Sequence, residues 1–476
     1  LVLAFVPINI YFGIILFILV ITFIYFRNNM LRTKSYVTKL GRLKSFYQRQ
    51  WRRQQGLYVG PKLDLRFSNF QQEVLSSDLN LIGEKSLFNY LDETLTSTGR
   101  QALLKWMTES NKNLKQILNQ QQHIKKLSTK TAQLIKLKLL NESNSLSPLH
   151  LSEEEFHQPI VSVAFNFYLK LHLGLFALVW FTVSLSLSGI IPVAPLVPFL
   201  LYLCFALLTR SPVAEAFPRA QSLAYQLSQL TPIFDHLEKK ILTSELKHHF
   251  PHLSGFHLSE RLRHLERWSQ FLTVQGHPLV HFILNALTPW DYVFSYFIEK
   301  WRQQFSKHLP PVLNELAEFE ALMSCALFYK FQTQTLPQIS ESPTFSAVGV
   351  FHPLLPRNTA VTNDFILSPN THLVLITGSN MSGKSTFLKT LGINQVLTMM
   401  GCPVFAKSYQ SFISPIQSCL KVTDSLERGL STFYYEVKQV AHILNTAKKD
   451  RNLFFLIVEI FLGTNNKERY EGAKAL

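Results

Sequence analysis

The segment Gly378-Ser379-Asn380-Met381-Ser382-Gly383-Lys384-Ser385 has the spacing G-x-x-x-x-G-K-[ST], that of a loop that wraps the phosphates of a nucleotide. The chemistry asks for these residue types. Small residues let backbone N–H groups approach an anion, and a helix N-terminus adds a favourable dipole. Lys384 would reach the outer phosphates, and the Ser385 hydroxyl would hold Mg²⁺. The flanks suit the motif. His372-Leu373-Val374-Leu375-Ile376-Thr377 reads as a short buried strand, and Thr386-Phe387-Leu388-Lys389-Thr390-Leu391 opens a helix. The pattern predicts that Gly378 to Thr386 binds ATP or GTP.

Two more groups of residues follow. Asp424-Ser425-Leu426-Glu427-Arg428-Gly429-Leu430-Ser431-Thr432-Phe433-Tyr434-Tyr435-Glu436 comes first, then Leu453-Phe454-Phe455-Leu456-Ile457-Val458-Glu459-Ile460-Phe461-Leu462-Gly463-Thr464-Asn465-Asn466. With the phosphate loop, and in this order, they resemble the MutS family of ABC-type ATPases of DNA mismatch repair. The resemblance extends upstream. Asp78-Leu79-Asn80-Leu81-Ile82-Gly83, Thr98-Gly99-Arg100 and Leu103-Leu104-Lys105-Trp106 look like the start of the family's helical core-and-lever domain. Glu318-Phe319-Glu320-Ala321-Leu322 looks like the helix leading into the ATPase, and Phe351-His352-Pro353-Leu354-Leu355 like the beginning of the nucleotide domain. Coverage runs from about residue 75 to 476.

The resemblance implies ATP as the nucleotide, with Mg²⁺, and two ATPase domains paired head to tail. The signature residues Ser431, Thr432 and Glu436 would then act in trans on a partner's nucleotide, which implies a homodimer. Glu459 would orient the attacking water, and Asp424 would help shape the signature loop. It also implies DNA as a partner, held by backbone and structure rather than by sequence.

Three departures narrow these expectations. The family has Asp-Glu where this chain has Val458-Glu459, and a valine cannot ligate Mg²⁺; nucleotide binding with slow or absent hydrolysis is expected. The chain stops at Leu476, before the family's switch histidine, so a fragment or a degraded gene is an open reading. Mismatch-reading members carry a Phe wedge with a Glu two residues on. Phe46 and Phe67 lack that Glu, so mismatch recognition is expected only by name.

The elements that must hold these residues show two regimes. The chain has 476 residues, with 47 Lys+Arg against 31 Asp+Glu, and opens on Leu1 rather than Met. No acid precedes Asp64, while Arg27 to Arg53 holds nine basic residues. Residues 1–27 carry no acid and no base before Arg27, and are long enough to cross a bilayer. A cleaved signal peptide would need a charged start and a small-residue cleavage site. Residues 28–76 read as a basic juxtamembrane segment, either lying on anionic headgroups or stacking its aromatics on single-stranded bases. The region 171–209 lacks Asp, Glu, Lys and Arg; it reads as two short spans around a turn at Ser188 to Pro195, with a buried core hairpin as the alternative. The positive flanks place the polar parts in the cytoplasm.

Residues 77–165 and 210–338 show helical spacing and read as the two parts of a core/lever domain. Leu262, Leu265, Trp268, Phe271 and Leu272 form one apolar stripe; Leu313, Leu316, Phe319, Leu322 and Met323 form another. Thr96-Ser97-Thr98 offers an N-cap before a helix near Gly99. Residues 339–476 change to α/β character, an incomplete ABC ATPase in the doubly wound style. The fold class is thus multidomain: transmembrane helices, a mostly α core/lever region, then an α/β P-loop domain. His248, His249, His252 and His257 lack the order of a helical metal site and read as a solvated loop. Four cysteines show no C-x-x-C pairing, which points to reduced thiols. Beside the DNA clamp, two readings stay open: a membrane-tethered ATPase clamping a protein or lipid, and a non-functional remnant. A transporter is disfavoured, since the spans hold no charge.

Overall fold

A computed structural model describes every residue except 1, 63–69, 110–112, 143–157, 191–195, 210, 243, 274–277, 333–334, 369–370, 421–431, 451, 459–465 and 476. It resolves into two compact units, Leu1–Tyr58 with Leu355–Thr359, and Val59–Leu354 with Ala360–Leu476. In the first unit, α1 (Val2–Gln54) is one unbroken helix of 53 residues, about 80 Å at 1.5 Å per residue. Its apolar part and the basic run after it share this helix. It ends at Gly56, whose φ of +67° and closeness to the Leu355 carbonyl, 2.6 Å from a would-be Cβ, leave room for glycine alone.

The second unit begins with α2 (Phe70–Asp78), α3 (Leu87–Leu91), α4 (Ser97–Thr108), α5 (Leu114–Ser128) and α6 (Thr131–Glu142). The N-cap falls where the sequence puts it: Thr96 Oγ1 accepts from Gly99 N at 3.0 Å. The chain continues through α7 (Val163–Leu187), α8 (Leu196–Leu208), α9 (Ser211–Ser228) and α10 (Thr231–His236), which runs into a π turn at Leu237–Ile241. Then come α11 (Ser244–His249), α12 (Pro251–Gly255), α13 (Leu258–Thr273), α14 (Pro278–Leu287), α15 (Trp290–Phe305) and α16 (Leu309–Gln332). Helix α16 is the spine, packed against α4, α5 and α12. Its stripe is nearly as read: Leu316, Phe319, Leu322 and Met323 are buried, but Val312 takes the inward place expected for Leu313. On α13, Leu262 and Leu265 are buried; the side chains of Trp268, Phe271 and Leu272 lie outside the description. The histidines read as a loop instead sit on and around α11 and α12, where His249 packs against His123 with ring centroids 4.2 Å apart and planes tilted by 47°.

Glu320 locks α16 to the start of α4. Its fully buried carboxylate accepts from Leu95 N at 2.8 Å, Thr96 N at 2.9 Å and Thr96 Oγ1 at 3.0 Å. A Cβ at Gly99 would stand 1.9 Å from Glu320 Oε2, so glycine is required for this approach. Burial pushes the carboxyl up to about 7, against the pull of the Thr96 and Leu95 donors.

Two helices are long and apolar enough to cross a membrane, Ile15–Gln54 within α1 and Ala164–Leu187 within α7; the pair Phe199–Leu208 and Val213–Ile241, bent by 80°, is a third if taken as one span. The hairpin arms are therefore unequal, contrary to the expected pair of short spans. At 13 residues, α8 reaches about 20 Å, short of a hydrocarbon core of about 30 Å.

The α/β region holds β1 (Gln338–Ser340), β2 (Phe345–Val350), β3 (Asn363–Leu367), α17 (Lys384–Met399), β4 (Ser408–Phe412), β5 (Ile416–Cys419), α18 (Thr432–Lys449), β6 (Phe454–Ile457) and α19 (Asn466–Ala475). The first sheet has the order β1-β4-β2-β3. β1 runs parallel to β4, and β2 antiparallel to both β3 and β4. β5 and β6 form a separate parallel pair. This is a mixed arrangement rather than the single doubly wound sheet expected. One predicted strand is not formed. Residues 371–379 join no ladder, and Leu373 and Leu375 are 69% and 84% exposed. Leu373, Val374 and Ile376 line one cavity of about 310 Å³ with Phe454 and Leu456 of β6. The segment lies beside β6 without the contact that strand pairing requires.

Candidate nucleotide-binding site

The phosphate loop is built as a strained turn entering α17. Met381 has φ +63° and Gly383, the N-cap of α17, has φ +90°. A left-handed Met costs energy that Gly does not, and Met381 is fully exposed, so the turn holds it rather than packing. The loop closes through Ser382 N to Ser379 O at 3.3 Å, and the helix starts with Phe387 N to Gly383 O at 2.8 Å. Lys384 folds back over the loop, its ammonium donating to Gly378 O at 2.9 Å and Ser379 O at 2.8 Å. Ser379, Asn380, Ser385 and Thr386 are exposed along the loop and first turn. A helix N-terminus, the Lys384 ammonium and exposed hydroxyls thus stand within one short segment, the kind of donor set an Mg²⁺-bound triphosphate asks for. Ser385 is the described residue that fits the metal.

Beyond its first turn, α17 is buried on every side from Thr390 to Met399. Polar side chains fix its position. Asn394 Oδ1 accepts from Phe405 N at 2.7 Å. Gln395 Oε1 accepts from Tyr409 Oη at 3.2 Å and Ser411 Oγ at 2.8 Å, while Gln395 Nε2 donates to Ser414 Oγ at 2.9 Å. A Cβ at Gly392 would lie 2.7 Å from both Leu456 and Leu79. The helix start is therefore held rigidly over β6 and the end of α2. His352 is buried beside this region; desolvation, and then the charge of Lys389, push it down to about 4. It stays neutral at physiological pH, with Nδ1 accepting from Leu354 N at 3.2 Å.

Val458 ends the β6 rung, its N–H donating to Cys419 O at 3.0 Å. Its isopropyl group gives no oxygen where the resembled pattern has a carboxylate. Asp424, Ser431 and Glu459 lie outside the described residues, and so does the Thr432 side chain, although Thr432 begins α18. Glu436, read from the sequence as part of a contact made in trans, is 1% exposed. Its charge acts on the buried Cys419 thiol. Burial, then Asp78 and Glu436, push that thiol up to about 12.

Sequence reasoning missed the residues that frame the signature segment. Asp78, the last residue of α2, accepts from Ser418 Oγ at 2.8 Å and Leu420 N at 2.9 Å. Gln439 of α18 donates to Gln71 Oε1 of α2 at 3.0 Å and to Ser418 O at 3.2 Å. One short helix thereby grips both the strand before residues 421–431 and the helix after them. The signal was present. A carboxylate at a helix C-terminus opposes the dipole, so Asp78 needed donors from elsewhere.

Residues 374–475 match the family model described as MutS domain V. Endonuclease MutS2 of Streptococcus thermophilus is 30% identical over 178 residues, covering 36% of this chain and 22% of that protein. DNA mismatch repair protein MutS of Fusobacterium nucleatum is 31% identical over 168 residues, covering 34% of this chain and 18% of its own length. Endonuclease MutS2 of Streptococcus pyogenes is 35% identical over 174 residues, again 36% and 22%. The chain spans about a fifth of the length of these curated relatives. Residues 374–475 carry a MutS-family ATPase domain V, distantly homologous to MutS and MutS2, and that domain implies ATP binding.

Proposed function

We propose that this protein is a membrane-anchored, MutS-like ATP-binding clamp that pairs through its ATPase domains and embraces DNA, with hydrolysis slow or absent. The observation that carries it is the double grip of α2 on the signature segment, through Asp78 on Ser418 and Gln71 on Gln439. Any movement of that segment on nucleotide closure is transmitted to the helical body through buried hydrogen bonds. Glu320 does the same from α16 to α4. A clamp needs this kind of rigid coupling between nucleotide and levers.

Lys384 and the Gly378 to Ser385 loop supply binding, and Ser385 is the residue that would hold Mg²⁺. Glu459 would orient water, while Val458 withdraws the second acid of the P-loop scheme. Loss of that acid weakens hydrolysis more than affinity. The apolar part of α1 and the α7–α8 hairpin support the anchor. Because α1 is unbroken, the basic residues from Arg42 to Arg52 are carried well beyond the Debye length of about 8 Å from its apolar end, which favours a macromolecular partner over headgroups for those residues. The net charge of +16 suits a polyanion, since phosphate neutralisation supplies most non-specific affinity.

The test is salt-dependent binding of branched and homoduplex DNA by the full chain in nanodiscs, with and without ATP. Binding that is ATP-responsive and falls with salt supports the proposal. Retention of DNA no better than of albumin at low salt would assign the clamp to a protein or lipid partner.

A further inference from the structure

Residues 268–290 contain no Asp, Glu, Lys or Arg. Their helix α14 packs on α8 of the apolar hairpin. The last turn of α14 shares a hollow of about 310 Å³ with that hairpin, where Ala286 and Leu287 meet Val183 of α7 and Phe199 of α8. Of the wall residues only Trp180 and Tyr202 carry a polar side-chain atom, and apolar hollows of this kind stay dry.

The amphipathicity of α14 is reversed. At about 100° per residue, Ile283 and Leu287 share one face, and His281 and Asn285 share the opposite one. The apolar face is the outward one: Phe282, Ile283 and Leu287 are 58%, 52% and 52% exposed. The polar face is turned in. The His281 ring stacks on the buried Phe217 of α9, with centroids 5.8 Å apart, and His281 Nε2 lies 2.9 and 3.1 Å from the two oxygens of Asp291. Asn285 Nδ2 donates to His281 O at 3.2 Å, and Asn285 Oδ1 accepts from Asp291 N at 3.2 Å. Thr288, just past the helix, donates back to Leu284 O at 2.9 Å. A helix that faces water carries its polar groups outward. One that faces lipid satisfies them inside the protein.

At 10 residues, α14 is about 15 Å long, half of a hydrocarbon core of about 30 Å. It cannot cross. Val183, beside its last turn, stands about 20 Å along α7 from Lys170 at 1.5 Å per residue, so α14 reaches up the hairpin without passing its far end. We propose that α14 is a further membrane element that lies in one leaflet beside the hairpin, with Phe282, Ile283 and Leu287 among phospholipid acyl chains. The inference rests on the membrane-anchor reading and adds a surface to it. Its neighbour α8 also exposes Leu200, Leu201 and Leu207, so lipid that wets the hairpin meets α14 as well. A protein partner would ask for a polar rim, and neither segment carries a charge.

The experiment is spin labelling of the full chain in phosphatidylcholine nanodiscs, read as collision with oxygen, which enters lipid, and with a water-soluble nickel chelate. Cys204 is exposed on α8, while Cys325, Cys402 and Cys419 are buried, so the wild-type chain labels at Cys204 and reports the hairpin. With Cys204→Ser as background, Ile283→Cys and Leu287→Cys report α14, and Glu260→Cys, at an exposed residue of α13, gives the aqueous reference. Insertion to roughly 5–10 Å should lower nickel collision at both α14 sites about tenfold below Glu260→Cys and raise oxygen collision. Lipid-like values at Cys204 with water-like values at 283 and 287 would overturn the proposal and leave the anchor standing. Water-like values at all three would remove the anchor and the proposal with it. Low collision with both reagents at 283 and 287 would mean that protein covers α14, and would also overturn the proposal.

Discussion

The Asp78 carboxylate accepts a 2.8 Å hydrogen bond from the Ser418 hydroxyl, joining the end of α2 to β5 across 340 residues of sequence. Both residues are buried, at 2% and 1% exposure. A hydrogen bond to a charged, buried group is worth more than an exposed one, and removing one partner leaves the other desolvated. The bond also lies at the root of the segment expected to close over a nucleotide. It therefore bears on stability and on coupling together.

Asp78→Ala should destabilise the protein by about 1–3 kcal/mol, the cost of stranding the Ser418 and Leu420 donors. Asp78→Asn keeps one acceptor oxygen and should recover most of that loss. Hydrogen exchange of the Leu420 amide separates the two: fast in Asp78→Ala, close to wild type in Asp78→Asn. Equal protection of this amide in both variants would show that Asp78 does not hold β5.

Nucleotide binding should depend on loop geometry as much as on charge. Gly383→Ala places a Cβ at φ +90°, costing about 1–2 kcal/mol, and should weaken binding of a fluorescent ATP analogue about tenfold. Lys384→Ala should abolish it at the same concentrations. Titration by fluorescence anisotropy reads both, and unchanged affinity in Lys384→Ala would remove the loop from the site.

Val458→Asp restores the acid that the resembled pattern carries after β6. Steady-state phosphate release should rise about tenfold or more, equivalent to about 1.4 kcal/mol off the barrier, with ATP affinity little changed. Equal turnover in the two proteins would mean that hydrolysis does not wait on this position.

How much of this was legible in the sequence depends on the range of each interaction. The phosphate loop, the Thr96 cap and the α16 stripe are local, set by spacing within a turn or two, and the chain states them directly. Strand pairing is not local. His372 to Thr377 has the composition of a buried strand, yet it lies across a cavity from Phe454 and Leu456 and forms no ladder. The partners of Asp78 and Glu320 are equally invisible to spacing, because each carboxylate meets backbone or side-chain donors more than 200 residues away. Glu436 was read from its motif as a residue acting in trans; its 1% exposure is a property of the assembled fold that spacing does not show. Acids in apolar surroundings were the readable hint, since each must have donors somewhere.

Glu320 gives a pH dependence with a definite sign. Its carboxyl is raised from 4.5 to about 7, chiefly by burial. A group whose folded value lies above its unfolded one contributes fully below the unfolded value, and that contribution is lost as pH rises through the folded one. Stability should therefore fall between about pH 4.5 and pH 7, by up to roughly 3 kcal/mol at 1.36 kcal/mol per unit. The groups facing it are the Leu95 and Thr96 donors, and Lys138, which is also 3.6 Å from Glu93. Glu320→Gln can keep its carbonyl oxygen on the same donors while removing the ionisation, so it should flatten the slope and raise stability at pH 7.5. Glu320→Ala strands those donors and should lower stability at every pH by about 2–4 kcal/mol. Urea midpoints of the three proteins from pH 5 to pH 8 provide the measurement. A wild-type slope that persists in Glu320→Gln would place the titrating group elsewhere.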